Sequence, residues 1–331
     1  MSTHLITAGR SALRYGYVPF MLLGLGGAAT ALAAADAPKY LLIAVLVIGV
    51  AASFAAEQAI PYQQQWNTDH ADTRRDRIHV LVNETLILLS VAAIPLLAAV
   101  NPWPGAWPTA WPFAAQVLTA VLVADLGITV VHLASHKIEW LWRFHAVHHS
   151  IKRLYGLNGL MKHPLHQAVE MTAGVAPLIL IGMPVTVASA LAVLTALQLM
   201  LQHSNADYRV GPLRYLLALN DGHRFHHLKW AGIGDVNFGL FTLIWDHAMG
   251  TYSYDPRRRF TSEQIGMAAK PNYPARYWPQ LVYPFTAAGG CHQQPDRSRR
   301  ADCKRSTLRS RGRRDSGADR GSTMITNRRW S

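Results

Sequence analysis

The chain has 331 residues, half of them hydrophobic and only 15% charged, with a mean hydropathy just above zero. Soluble domains carry about a quarter charged residues, so a disordered chain is excluded and an ordinary soluble enzyme is disfavoured. The formal charge of +13 points first to nucleic acid, but residues 291–331 alone hold 12 Lys and Arg against 4 Asp. That leaves +5 on the first 290 residues, a modest excess that suits basic loops beside a membrane, and no nucleic-acid partner is expected.

Four apolar stretches come first in chain order, at about 17–35, 40–59, 80–100 and 112–131. Each is about 20 residues, enough to cross a hydrocarbon core of ~30 Å. The first is rich in Gly and Ala and lacks a persuasive cleavage site, so it reads as a span rather than a signal peptide. Asn83 and Glu84 alone interrupt the third, and Asp125 the fourth. Arg10 and Arg14 precede the first span, and Arg74, Arg75 and Arg77 lie between the second and third. The loop after the third is uncharged and carries Trp103, Trp107 and Trp111. Basic loops stay cytoplasmic and Trp marks the interface, so the N-terminus is expected inside, with His132 and its successors on the cytoplasmic side.

A fifth apolar region, 168–201, is broken by Gly182-Met183-Pro184. Two short helices joined there return the chain to its starting side, which gives six crossings with a short, re-entrant-like last pair. Basic residues agree on both flanks: Lys152, Arg153 and Lys162 before the hairpin, Arg209, Arg214, Arg224 and Lys229 after it. The expected fold is therefore all-α, about four spans plus a helical hairpin, with a cytoplasmic helical cap. Beyond residue 290 large apolar residues almost vanish, and a basic, disordered tail is expected. Both cysteines, Cys291 and Cys303, fall in that tail, so no disulfide framework or thiolate zinc site holds the body.

Histidine is the unusual residue: there are 16, and 11 fall between His132 and His227. His132-Leu-Ala-Ser-His136 puts two imidazoles on one helix face at i and i+4. His145-Ala-Val-His148-His149 and His223-Arg-Phe-His226-His227 each put three at i, i+3 and i+4, and His203 ends the apolar hairpin. One such triplet is often a solvated face. Two of them with a pair on the same side of a membrane point to metal, and eight or more imidazoles suit two metals better than one. The pattern HExxH, with its hydrolytic Glu, is absent. Imidazole suits Zn, Fe, Cu and Ni; zinc could occupy a dinuclear site but not change oxidation state, whereas iron could activate oxygen.

The order Asp125…His132-x3-His136, Leu141-Trp-Arg-Phe-His-Ala-Val-His-His-Ser150, His163-Pro, Gln202-His203-Ser-Asn, His223-Arg-Phe-His-His227, Asp235-Val-Asn-Phe-Gly239, Trp245-Asp246 and Gly250-Thr-Tyr252 resembles the fatty acid hydroxylase (sterol desaturase) superfamily of membrane di-iron oxygenases. The resemblance covers about residues 110–253. It implies two iron ions (zinc as a substitute), O2 as co-substrate, and hydroxylation or desaturation of a lipid C–H position, in a fatty acyl, sterol, sphingoid, ether-lipid or carotenoid substrate. By motif position the ligands are His132, His136, His145, His148, His149, His203, His223, His226 and His227. This chain lacks the Arg that often follows the first His, and offers only Asp207 where some members have a second His after the one matching His203.

The division that follows is an N-terminal membrane region (1–109), a catalytic region (110–253), a cytoplasmic C-terminal segment (254–290) and the tail (291–331). His163 and His166 are each either a further ligand or hydrogen-bond donor to the site, or a helix-entry cap. Asp125, at membrane depth and therefore costly, reads either as an acceptor for a ligand ring, as carboxylates beside metal sites are, or as a plain structural group; the same two readings stand for Asn237 and Asp246. His247 falls outside the spacings and is not expected to bind metal. Trp140, Trp142, Phe144 and Trp230 read first as interface anchors. No His-Pro-Gly-Gly motif is present, so electrons are expected from a separate ferredoxin or cytochrome, with the chain in the cell's inner membrane. The rival reading is a His-rich metal transporter or metal-binding protein, but Glu84 and Asp125 alone make no ionisable path through the spans.

Overall fold

Each apolar stretch of the sequence becomes a helix in the computed structural model, which describes residues 2–286 apart from 100, 102 and 104. The basic tail with Cys291 and Cys303 lies outside the described residues. Helix α1 (Ser2–Pro19) continues through a π-helical segment (Phe20–Leu25) into α2 (Gly26–Ala34), one rod that begins well before the apolar run. After a short turn comes α3 (Lys39–Ala59).

Helix α4 (Thr73–Ala98) takes in Arg74, Arg75 and Arg77, which the sequence places in a loop. The earlier start has a local cause. Asp69 accepts from the Asp72 and Thr73 backbone N–H groups and the Thr73 hydroxyl, satisfying donors that a helix start leaves open. Arg75 is then buried against Asp76 at 2.6 Å.

Helix α5 (Phe113–Lys137) runs on past the apolar run and carries His132 and His136; α6 (Glu139–His149) follows after one extended residue, Ile138. The hairpin is α7 (Pro164–Leu180) and α8 (Val185–His203). It turns at Gly182, whose φ of +88° suits a residue without a Cβ. The helices α9 (Asn220–His226), α10 (Ile244–Met249) and α11 (Tyr277–Thr286) complete the chain. No strand occurs among the described residues, only three isolated bridges.

Five helices are long and apolar enough to cross a membrane: Thr7–Ala34, Lys39–Ala59, Thr73–Leu97, Phe113–Lys137 and Val185–His203. This is the make-up of an integral membrane protein. At 17 residues, with Pro177 inside, α7 is the short member of its hairpin. Exposed Ile43, Val47, Leu81, Leu88, Leu89 and Leu96 coat the outer faces of α3 and α4, as lipid-facing residues should. By contrast α8 is buried along nearly its whole length, and α2, α3, α4 and α5 pack around it. Against α7, α5 presents Gly127, where a Cβ would collide with the Ala173 backbone; small residues allow this close crossing.

Candidate metal centre

Four elements deliver the nine histidines. His132 and His136 come from the end of α5, His145, His148 and His149 from α6, His203 from the last position of α8, and His223, His226 and His227 from α9 and its C-cap. All nine are at most 7% exposed.

The rings form two groups, each with its donor atoms within 4.8 Å of one another: His132, His136, His145, His149 and His226 in the first, His148, His203, His223 and His227 in the second. The terminal His-His of each triplet makes the division. Adjacent helical residues point about 100° apart; the ring planes of His148 and His149 are inclined at 88°, those of His226 and His227 at 89°, and the two members of each pair join different groups. The groups share a wall where His149 stacks on His227 at 4.7 Å and His223 on His226 at 4.9 Å.

Within a group the Nε2 atoms meet. His149 Nε2 lies 3.2, 3.1 and 3.0 Å from those of His136, His145 and His226, and His226 Nε2 is 2.9 Å from that of His132. In the second group His203 Nε2 lies 3.2, 3.2 and 3.1 Å from those of His148, His227 and His223, with 3.0 Å between the last two.

At five of the nine rings hydrogen bonding cannot account for this convergence, because a neutral imidazole carries one proton and the far nitrogen already claims it. Nδ1 of His132 faces Phe238 O at 2.8 Å, that of His148 Met161 O at 3.0 Å, that of His226 Val236 O at 2.9 Å, and that of His203 Leu199 O at 3.2 Å. His136 Nδ1 faces the Asp235 carboxylate at 3.0 Å. Acceptors at these five positions fix the proton on Nδ1 and leave an Nε2 lone pair aimed inward, as in metal-binding histidines.

Burial, with neighbouring histidines adding to it, holds His145, His148, His149, His223, His226 and His227 well below the usual imidazole range. They are therefore neutral and able to ligate at pH 7. Two donors at right angles, each about 2.1 Å from a metal, lie about 3 Å apart, which matches the spacing here. The residues fit two cations held by imidazole.

The remaining candidates fall elsewhere. His163 is the N-cap of α7, accepting from Leu165 N at 3.1 Å, with Nε2 toward Leu281 O. His166 stands beside the site, its Nε2 2.8 Å from Ser135 Oγ and its ring 4.5 Å from that of His145.

Asp125 does not meet a ligand ring. Its carboxylate accepts from the backbone N–H groups of Leu240, Phe241 and Thr242 and from the Thr242 hydroxyl, because the loop after α9 crosses α5 at that depth. Asp246 likewise accepts from Phe238 N and Gly239 N at 2.8 Å and from Thr251 Oγ1 at 2.6 Å. Asn237, with φ of +55°, bonds Gly222 O, Ser253 O and Ser253 N. These three hold the loop whose carbonyls at Val236 and Phe238 orient His226 and His132, so they reach the rings through backbone rather than directly. Asp207 is paired with Arg14 at 3.3 Å and Arg209 at 3.4 Å, outside both groups, and His247 faces Tyr215 O.

Trp142 is no membrane anchor: it is buried against the rings of His136 and His149, 5.2 and 5.3 Å away. Trp140 is exposed, Phe144 packs on His163 and Phe285, and Trp230 packs with Lys229. Sequence reasoning gave no site role to Asp235, to Phe238, whose ring packs edge-on against His132, His136 and His226, or to Lys162 and Glu170, which line a small cavity with His132, His145, His148, His203 and His223. Asp235 and Phe238 lie within the Asp235-Val-Asn-Phe-Gly239 motif, the one signal that could have flagged them.

Residues 117–251 match the family model described as fatty acid hydroxylase. The chain is 31% identical over 250 residues to an ornithine lipid hydroxylase of Rhizobium tropici, covering 70% of this chain and 72% of that protein. It is 30% identical over 137 residues to an alkylglycerol monooxygenase of Danio rerio, covering 40% of this chain and 30% of that one. No solved structure matches. With nine histidines arranged as two neutral donor groups at the end of a membrane bundle, and relatives that oxidise lipids, the chain belongs to the fatty acid hydroxylase superfamily.

Proposed function

We propose that this chain is a di-iron, O2-dependent monooxygenase that hydroxylates a C–H position of an amphiphilic lipid. The observation that carries the reading is the pair of Nε2 clusters, five and four imidazoles, with an acceptor holding the proton on the outer nitrogen of His132, His136, His148, His203 and His226. His132, His136, His145, His149 and His226 would hold one iron, and His148, His203, His223 and His227 the other. Iron held there supplies the redox chemistry: R–H, O2, two electrons and two protons become R–OH and water.

The chain's own residues position and exclude. Trp142 and Phe238 pack against the rings and keep water from them. Ile128, Leu199 and Leu240 give the small cavity against the histidines an apolar side. Both relatives are named for hydroxylation or monooxygenation, which favours hydroxyl insertion over desaturation.

A cytoplasm-facing site in the cell's inner membrane is supported by the placement of basic residues. Arg14 at the start of the first span pairs with Asp207, just after His203, and Lys137, Arg143, Lys152 and Lys229 lie on the same end. At the other end the Trp-bearing loop meets the hairpin turn, with Asn101 Nδ2 donating to Ile179 O. Electrons would come from a separate ferredoxin- or cytochrome-type donor meeting that basic face.

The test replaces His148 or His226 by Ala in the full chain. Each removes one donor from a different group, and each is expected to lower iron content and abolish lipid hydroxylation, read by mass spectrometry of the lipids with 18O2. Hydroxylation retained in both variants would contradict the assignment.

A further inference from the structure

Lys162 and Glu170 border the metal centre yet belong to neither donor group. Lys162 Nζ stands 2.5 Å from Glu170 Oε2, the side chains 12% and 3% exposed, and both line the cavity that touches His145, His148 and His203. The pair is rigidly placed. The Lys162 carbonyl accepts from His79 Nδ1 and from Asn83 Nδ2, both at 3.0 Å, and Glu170 rides on α7, which small residues lock against α5.

Such a pair is a poor source of stability, since the cost of desolvating two charges offsets their attraction and apolar residues of like volume serve as well. Ionisable groups beside membrane-embedded helices usually mark function. A second observation says which. Glu170 Oε1 is buried and has no hydrogen-bond partner, while Oε2 is held by the lysine. A carboxylate oxygen left in that state costs free energy until a donor reaches it. Glu170 also groups with His145 and His166, and its Oε2 is paired with the Lys162 ammonium.

We propose that Glu170, positioned by Lys162, recognises a hydrogen-bond donor on the lipid, an amine or a hydroxyl, so that the oxidised carbon lies in or beside the polar headgroup. This rests on the lipid-hydroxylase reading above. With its donor on Glu170, a lipid would set its headgroup-proximal carbons on the side of the histidine groups that Lys162 and Glu170 border. A carbon far along an acyl chain would leave Glu170 Oε1 without a partner.

The test uses the full-length, iron-loaded enzyme and three probes of equal chain length: an ornithine lipid carrying an amine, an alkylglycerol carrying hydroxyls, and the same alkylglycerol with both hydroxyls methylated. Binding is read without oxygen by native mass spectrometry, alongside KM, kcat and iron content. The wild type is expected to prefer a donor-bearing lipid, and the preferred one identifies amine or hydroxyl as the source. In Glu170→Gln, KM and anaerobic binding for that lipid should weaken by about tenfold or more, with iron content and kcat near the wild type. If that variant does not fold, the apolar pair Lys162→Met with Glu170→Leu is expected to fold, hold iron and lose the preference. Equal binding of all three probes by the wild type, an unchanged KM in the variant, or loss of iron in step with activity would overturn the inference. A wild type that prefers a donor-bearing lipid anaerobically but oxidises none would instead contradict the proposed function.

Discussion

At the scale of single residues, the proton on each ring decides what the site can be. An imidazole ligates only through a nitrogen without hydrogen, and the acceptors behind His132, His136, His148, His203 and His226 make that nitrogen Nε2. Asp235 is the one side chain among these acceptors, and as a carboxylate it makes the stronger, charge-assisted kind of hydrogen bond. Asp235→Ala is expected to weaken iron binding by about tenfold to a hundredfold, measured by chelator competition on the purified protein, while Asp235→Asn, which keeps an acceptor oxygen, loses less. An unaltered affinity in the Ala variant would show that the hydrogen bond does not tune the ligand. The ligand candidates themselves were legible in sequence because i, i+3 and i+4 spacing is local. Asp235 was not assigned, because it meets His136 across 99 residues of chain, and no local pattern records that pairing.

At the scale of elements, buried carboxylates organise the loop from Asn237 to Thr242. Asp125 gathers the N–H groups of residues 240–242 and Asp246 those of residues 238 and 239. Gln198 and Gln202 of α8 donate to the carbonyls of Leu240 and Gly239. A loop at membrane depth has no water to satisfy its backbone, so side chains must do it. Asp246→Ala strands two buried N–H groups and is expected to cost about 2–5 kcal/mol, seen as a lower Tm in detergent. Because Phe238 O holds His132, iron occupancy should fall with it. An unchanged Tm would mean that the loop finds other partners. The cost of an ionisable group at the depth of Asp125 was readable from the sequence. Its partners were not, since they are backbone groups brought there by the return of the chain after α9.

At the scale of the whole molecule, the bundle exists to bring four helix ends to one place. Hydropathy located the apolar stretches and the Gly182–Pro184 turn, and the parity of crossings required His203 to rejoin His149. It could not distinguish α8, enclosed by its neighbours, from α4, whose leucines face outward, because both are simply apolar. Nor could it see that Trp142 serves the rings rather than the interface, since tryptophan suits either place. Family membership weighs against the transporter reading, and the two histidine groups give the membership a chemical meaning.

If the two histidine groups hold a pair of irons as proposed, the metal content and its magnetism will show it. Purified full-length protein reconstituted anaerobically with 57Fe(II) should bind about two iron atoms per chain, as two-metal sites do. Its Mössbauer spectrum after oxidation should show coupled ferric ions, and the coupled signal should vanish in His149→Ala, whose ring lies on the wall between the groups. A wild-type protein that takes up a single iron, or two that remain magnetically independent, would contradict the account.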